Sequence, residues 1–145
     1  MSSPDRDLLA KAVTVDLFGP GALTEPAEVA VPERYALERC LGRGGCGVVW
    51  LARDRVLDRP AAIKVLLDAT AQDVERFRRE ARFAARLDDP RVVKVYEMGE
   101  AEGQHYIAMQ FVDGASLGRA GLDREATVRA GGEVARALEH AHQEG

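Results

Sequence analysis

Several residue types are scarce in this sequence. Its 145 residues include only two cysteines, Cys40 and Cys46, and three scattered histidines, so neither a disulfide framework nor a zinc-binding spacing can be drawn from it. No apolar run approaches the roughly 20 residues that a membrane helix needs. The opening MSSPDRDLLA lacks the basic start and apolar core of a secretory signal. These absences lead to the expectation of a cytoplasmic chain with no membrane segment. Lysine is scarce as well: of 20 basic residues, 17 are arginine and only Lys11, Lys64 and Lys94 are not. In a chain that nearly always chooses arginine, a lysine inside an apolar strand carries information.

Charge is close to balanced, with 24 acids against 20 bases and a net charge of −4. Residues 1–32 hold two bases and five acids, residues 33–112 hold 14 and 13, and residues 113–145 hold four and six. No segment is strongly basic, so no nucleic-acid partner is expected. With 46% hydrophobic and 30% charged residues, the composition is that of an ordinary globular protein of about one domain.

Residues 1–32, rich in Pro, Gly, Ala and acids, read as a flexible N-terminal extension with room for a short helix near Leu8–Val15. Order is expected to begin around Tyr35. Apolar patterning predicts strands over Tyr35–Leu41, Val48–Arg53 and Ala61–Leu67, with Asp54–Arg59 as a charged turn closed by Pro60. The period then changes. Val74, Phe77, Ala81, Ala84 and Leu87 recur every three or four residues, which predicts an amphipathic helix from Asp73 to Leu87, stopped by Asp88-Asp89-Pro90. Two more strands, Val92–Met98 and His105–Val112, precede a helix from Arg124 to about His142, whose Gly131-Gly132 weakens its middle. The turn between the second and third strands is too short for a parallel crossover. The fold class is therefore α+β, a five-stranded antiparallel sheet with one packed helix.

Gly42-Arg43-Gly44-Gly45-Cys46-Gly47 fits G-x-G-x-x-G. A dinucleotide-binding unit would need a helix after the glycines and an acid about 20 residues on, a place that Asp68 fills. The β-branched and aromatic run Val48-Val49-Trp50-Leu51 favours a strand there instead, and so a glycine hairpin whose bare amides can approach phosphate oxygens. Lys64 is the only charge in Ala61–Leu67. On the following helix, with Phe77 at 0°, Glu80 falls at about 300°, inside the apolar arc, whereas Arg78, Arg79, Arg82 and Arg86 lie on the opposite side. A carboxylate pointed at a core needs a partner, and Lys64 is the candidate.

Together these residues resemble the amino-terminal lobe of the eukaryotic-like serine/threonine protein kinases of bacteria. Leu41-Gly42-Arg43-Gly44-Gly45-Cys46-Gly47-Val48-Val49 is similar to that family's Gly-rich loop, and Ala62-Ile63-Lys64 to the A-I-K of its third strand. Phe77-Arg78-Arg79-Glu80-Ala81 resembles its regulatory helix, and Asp89-Pro90-Arg91-Val92-Val93 its step into the fourth strand. Tyr106–Gly114 is similar to its fifth strand and hinge, and Ala137–Gly145 to the end of the helix before its catalytic loop.

The resemblance implies a kinase N-lobe over residues 33–112 and, over 113–145, the hinge exit and first helices of an incomplete C-lobe. It implies ATP as ligand, covered by the glycine loop from Leu41 to Val49, with Ala62 among the residues that bind it and Lys64, paired to Glu80, at the phosphates. Met109 would be the gatekeeper, the backbones of Gln110 and Val112 would meet the adenine edge, and Ser116 would fall near the ribose. In the full-length family, protein substrates are phosphorylated on Ser or Thr with Mg2+. The family's H-R-D, D-F-G and A-P-E motifs do not occur in the 145 residues, and H-R-D would be expected shortly after Gly145. The catalytic Asp and the metal ligands belong to those motifs. The chain as written is thus expected to be truncated before the catalytic loop and to be inactive alone, as a kinase portion or as a non-catalytic, pseudokinase-like binding module.

Overall fold

The computed structural model describes residues 28–45 and 47–144. Five strands form one sheet: β1 (Tyr35–Gly44), β2 (Gly47–Asp54), β3 (Arg59–Val65), β4 (Val95–Ala101) and β5 (Gln104–Gln110). Two helices follow the same numbering, α1 (Ala71–Arg86) between β3 and β4, and α2 (Arg124–Gln143) after a short 3-10 turn at Leu117–Arg119. All pairings are antiparallel and the strand order is β1-β2-β3-β5-β4. The β4–β5 hairpin inserts its second strand beside β3, leaving β4 at the edge.

Local chemistry sets each boundary. Glu102 and Gly103 both take positive φ (49° and 80°), the tight turn that closes β4 onto β5. Helix α1 opens on a capping box two residues earlier than its periodicity predicts. The Thr70 hydroxyl accepts from the Asp73 N–H at 3.2 Å, and the Asp73 carboxylate accepts from the Thr70 N–H at 3.0 Å. The Thr70 hydroxyl, which donates to the same carboxylate at 2.6 Å, and then the Thr70 N–H hold the Asp73 carboxyl below its usual range. Strand β4 begins at Val95, three residues later than expected, because the preceding loop is tied into a turn: Arg91 N–H donates to the Asp89 carboxylate and Val92 N–H to the Asp89 carbonyl. Pro60 does not close the β2–β3 turn but pairs with Arg53 next to the hairpin, where the loss of one N–H is tolerated. Gly131 and Gly132 leave α2 unbroken.

Strand β3 is buried on both faces. Its alternation sends Ala61, Ile63 and Val65 into a cluster with Tyr35, Val48, Ala52, Tyr106 and Ala108, whereas Leu66 joins Phe77 and Ala81 of α1 and Ile107 of β5 on the other side. Residues 28–32 correct the expectation of a loose extension as far as residue 32. Val29 and Val31 pack on the first cluster, and the Gln104 side chain ties the segment down, accepting from Ala30 N–H at 2.7 Å and donating to the Glu28 carbonyl at 3.3 Å. The short helix expected near Leu8–Val15 lies outside the described residues.

At the end of β2 remote from the glycines, Asp54 is fully buried. Arg34 grips its carboxylate with Nε and Nη2 at 2.9 and 2.8 Å, the N–H groups of Val56 and Leu57 donate to it at 3.1 and 3.2 Å, and Arg59 stands 3.7 Å away. Arg34 Nη1 also reaches Glu97 of β4 at 3.0 Å, and Glu97 accepts from the Tyr106 hydroxyl at 2.9 Å. Burial and that hydrogen bond push the Tyr106 phenol up to about 12. Arg34 and the two amides hold the Asp54 carboxyl well below the ordinary carboxylate range. Helix α2 is capped by Asp123 and lies against the rest lightly: Ala130 is buried, Val128 and Leu138 are exposed, and Glu133 faces Arg91 at 3.7 Å.

Two outcomes follow from this packing. Gly47 has φ +124°, and a Cβ there would stand 2.1 Å from the Val65 carbonyl oxygen. Gly47→Ala is expected to lower stability by about 2–4 kcal/mol, read from urea unfolding; an unchanged midpoint would refute the close approach. Because the Asp54 carboxyl is depressed in the folded state, its contribution is present above the unfolded value of about 4 and is lost as pH falls below it. The wild-type midpoint should therefore drop on acidification below about pH 4. Asp54→Asn should start lower at neutral pH and show a shallower acid slope, and parallel slopes would contradict the assignment.

Candidate functional site

The strand register assembles the site residues row by row. One row runs Gly42, Val49, Lys64 and Ile107 across β1, β2, β3 and β5, and the next runs Leu51, Ala62 and Met109. These side chains share the sheet face that α1 covers, since Ile107 and Met109 pack with Phe77. The β1–β2 hairpin continues past this row, with Gly44 opposite Gly47. Leu41 and Arg43 are half-buried on β1, and Gly45 is exposed at the tip with nothing within 4 Å of where a Cβ would stand. Cys46, expected at the loop tip, lies outside the described residues.

Lys64 is the only charged residue in the buried run from Ala61 to Leu66, at 9% exposure. Its ammonium stands 5.4 Å from the centre of the Phe77 ring, within reach of a cation–π attraction. The expected burial of Glu80 is corrected: Glu80 is exposed. Helix α1 buries a narrow stripe, Phe77 and Ala81, and a side chain about 60° from Phe77 already reaches water. Phe77 is the residue that the sequence reading missed beside Lys64. Its place at the centre of the apolar arc was the signal.

The remaining expected residues fall into two groups. Val48 is buried in the cluster on the opposite face of the sheet, so its side chain cannot line the face that Val49 shares with Lys64, a consequence of strand alternation. Gln110 ends β5, where its N–H donates to the Lys94 carbonyl at 2.8 Å and its side-chain oxygen accepts from the Lys94 N–H at 3.3 Å. Gln110 can therefore offer a ligand its carbonyl rather than its amide. Val112 follows beyond the end of the ladder, half-buried, and Ser116 caps the 3-10 turn through its backbone, its carbonyl accepting from Arg119 N–H at 2.9 Å.

The glycines are followed by a strand, β2, and not by a helix, which removes the dinucleotide-binding alternative built on Asp68. Among the described residues, no group of three or more His, Cys, Asp or Glu side chains is placed to hold a metal ion, and no helix is long and apolar enough to cross a membrane. A separate open depression of about 300 Å³ is lined by Arg91, Arg136, Glu139, His140 and Gln143 and shares no residue with the Lys64 row.

Comparison with known proteins agrees with this geometry. The family profile described as the protein kinase domain matches residues 35–145. The serine/threonine-protein kinase PknJ of Mycobacterium tuberculosis is 47% identical over 118 residues, covering 77% of this chain and 20% of PknJ. PrkC of Bacillus subtilis, also a serine/threonine-protein kinase, is 38% identical over 118 residues, 76% of this chain and 18% of its own length. The chain thus spans about a fifth of the curated relatives it matches. The crystal structure of the Mycobacterium tuberculosis PknI kinase domain superposes with a TM-score of 0.63 at 34% identity, covering 78% of this chain and 50% of that one. The antiparallel five-stranded sheet, the glycine hairpin that joins the strands beside Lys64 and this match over residues 35–145 place the chain in the protein kinase domain family.

Proposed function

We propose that the sheet face carrying Val49, Ala62, Lys64 and Met109 is the ATP-binding side of a serine/threonine protein kinase. The observation that carries this reading is the buried Lys64 in one register row with Val49 and Gly42, at the base of a glycine hairpin. Val49 and Ala62 offer an apolar wall that suits a purine ring, and Met109 lies beside Ala62 at the back of that wall. The Lys64 ammonium supplies positive charge for the phosphates, and the hairpin amides from Gly42 to Gly47 add N–H donors that approach oxygens without an obstructing side chain. The Gln110 carbonyl and the backbone of Val112 suit the adenine edge, and Ser116 the ribose.

Magnesium, in this family, neutralises charge on the transferred phosphate. The motifs that would hold it and accept the substrate proton are absent from these 145 residues, so no transfer step is derived from them. Phosphorylation of protein serine and threonine is proposed for the whole protein, by likeness to its relatives. The pairing of Glu80, exposed on α1, with Lys64 belongs to the same proposal.

Titration calorimetry tests the reading with two ligands. ATP is expected to bind the wild-type chain and to lose at least about tenfold in affinity in Lys64→Ala, a loss of about 1.4 kcal/mol. Adenosine, which has no phosphates, is expected to bind both proteins equally. Equal losses for both ligands, or no effect on ATP, would contradict the role assigned to Lys64.

A further inference from the structure

Residues 28–34 lie before the stretch that matches the protein kinase domain, which begins at residue 35, yet they are fastened to the sheet. The fastening differs in kind from that of the strands, because residues 28–32 belong to no ladder. One side chain stands in for a partner strand: the Gln104 amide oxygen accepts from Ala30 N–H at 2.7 Å, and its NH2 group donates to the Glu28 carbonyl at 3.3 Å. In extended backbone the carbonyl of one residue and the N–H of the next but one lie side by side and point the same way. Gln104 thus reads main chain in that conformation, whatever side chain stands between. Val29 and Val31, two apart and so on one side of an extended segment, pack against the buried cluster that contains Ile63, Val65 and Tyr106. Pro32 favours the same conformation, since the residue before a proline is pushed towards extended backbone. Its carbonyl accepts from Tyr35 N–H at 2.9 Å in the turn that leads into β1, and Arg34 is anchored separately on Asp54 and Glu97.

We propose that the surface beneath residues 28–32 is a recognition site for an extended protein segment with β-branched residues at alternate positions, and that residues 28–32 are its exchangeable occupant in cis. The occupant itself displays what the site demands. Two apolar side chains at i and i+2 fill the surface beside Ile63, Val65 and Tyr106, and the backbone flanking the first of them pairs with one side-chain amide. Main-chain hydrogen bonds of this kind give affinity, and the alternate side chains give specificity. Both hydrogen bonds to Gln104 are neutral, so recognition rests on shape and backbone rather than on charge. The turn at Pro32–Tyr35 is a pivot. A segment that lifts there gives up two hydrogen bonds and the contacts of two half-buried valines, and the Arg34 network stays in place. A segment of the same pattern from another protein competes with the cis copy, which its short link to β1 favours by raising its effective concentration. The proposal does not depend on ATP binding.

The test is a nuclear magnetic resonance titration of the whole isotope-labelled 145-residue chain with an unlabelled peptide of residues 28–32, read at the Gln104 side-chain amide and the Tyr106 backbone amide. Val29→Ser/Val31→Ser weakens the cis occupant and leaves the surface beneath it unchanged. This variant is expected to bind the peptide at least about tenfold more tightly than the wild-type chain does. Adding Gln104→Ala to the variant is expected to remove most of that gain, and a peptide with serine in place of both valines is expected not to bind. Equal affinity of wild type and variant, equal binding of the serine peptide, binding untouched by Gln104→Ala, or no response at all would overturn the proposal. A variant that stays unfolded with and without peptide would overturn it too, since the segment would then be an integral part of the core and not an occupant.

Discussion

A charge in the middle of a doubly buried strand is the constraint around which the site is arranged. From Ala61 to Leu66 every residue of β3 and its exit is buried, and Lys64 is among them. An ammonium in that position is tolerated only where the surroundings compensate for lost water. Phe77 brings a ring face to it from α1, and Val49 and Ile107 flank it on the neighbouring strands in one row. The arrangement keeps a positive charge at the base of the glycine hairpin while leaving the hairpin backbone unobstructed. Gly47 strengthens the link, because its positive φ lets β2 start directly against the Val65 carbonyl, one residue from Lys64. Hairpin and lysine are thus positioned by the same pair of strands.

The opposite end of the β2–β3 hairpin is held by different physics. There the buried Asp54 gathers Arg34, two backbone amides and Arg59, and Arg34 carries the link on to Glu97 and Tyr106. Arg59 in turn lies over the Tyr96 ring at 3.6 Å. This network joins the segment before β1, the β2–β3 turn and both strands of the β4–β5 hairpin. A smaller pair of similar kind fixes the loop after α1. Asp89 is buried, Arg91 holds its carboxyl at about 2, and Arg91 faces Glu133 on α2. Burial of apolar surface assembles the sheet, and these satisfied ion pairs set where its loops lie.

What the sequence disclosed was whatever is local. The change from period two to period three or four separated the strands from α1, and the β-branched run after Gly47 excluded a helix there. Ala62-Ile63-Lys64 announced a charge inside an apolar strand. Non-local features were hidden. Asp54 reads as one more charge in a turn, since its partner Arg34 lies 20 residues earlier. The packing of Val29 and Val31 depends on Gln104, more than 70 residues away. Glu80 was misplaced because an apolar arc drawn from sequence does not say how wide a stripe the sheet will cover. Val48 stood inside the glycine motif, and only strand alternation sends it to the other face.

The central claim, that the Lys64 face of the sheet receives the nucleotide, is tested most directly by a nuclear magnetic resonance titration of the isotope-labelled chain with ADP. The account predicts perturbations concentrated at Val49, Ala62, Lys64 and Met109 and in the glycine hairpin, with Ile63 and Ala108 on the opposite face much less affected. Perturbations concentrated instead around Arg91, Arg136 and His140, at the separate depression, would contradict it.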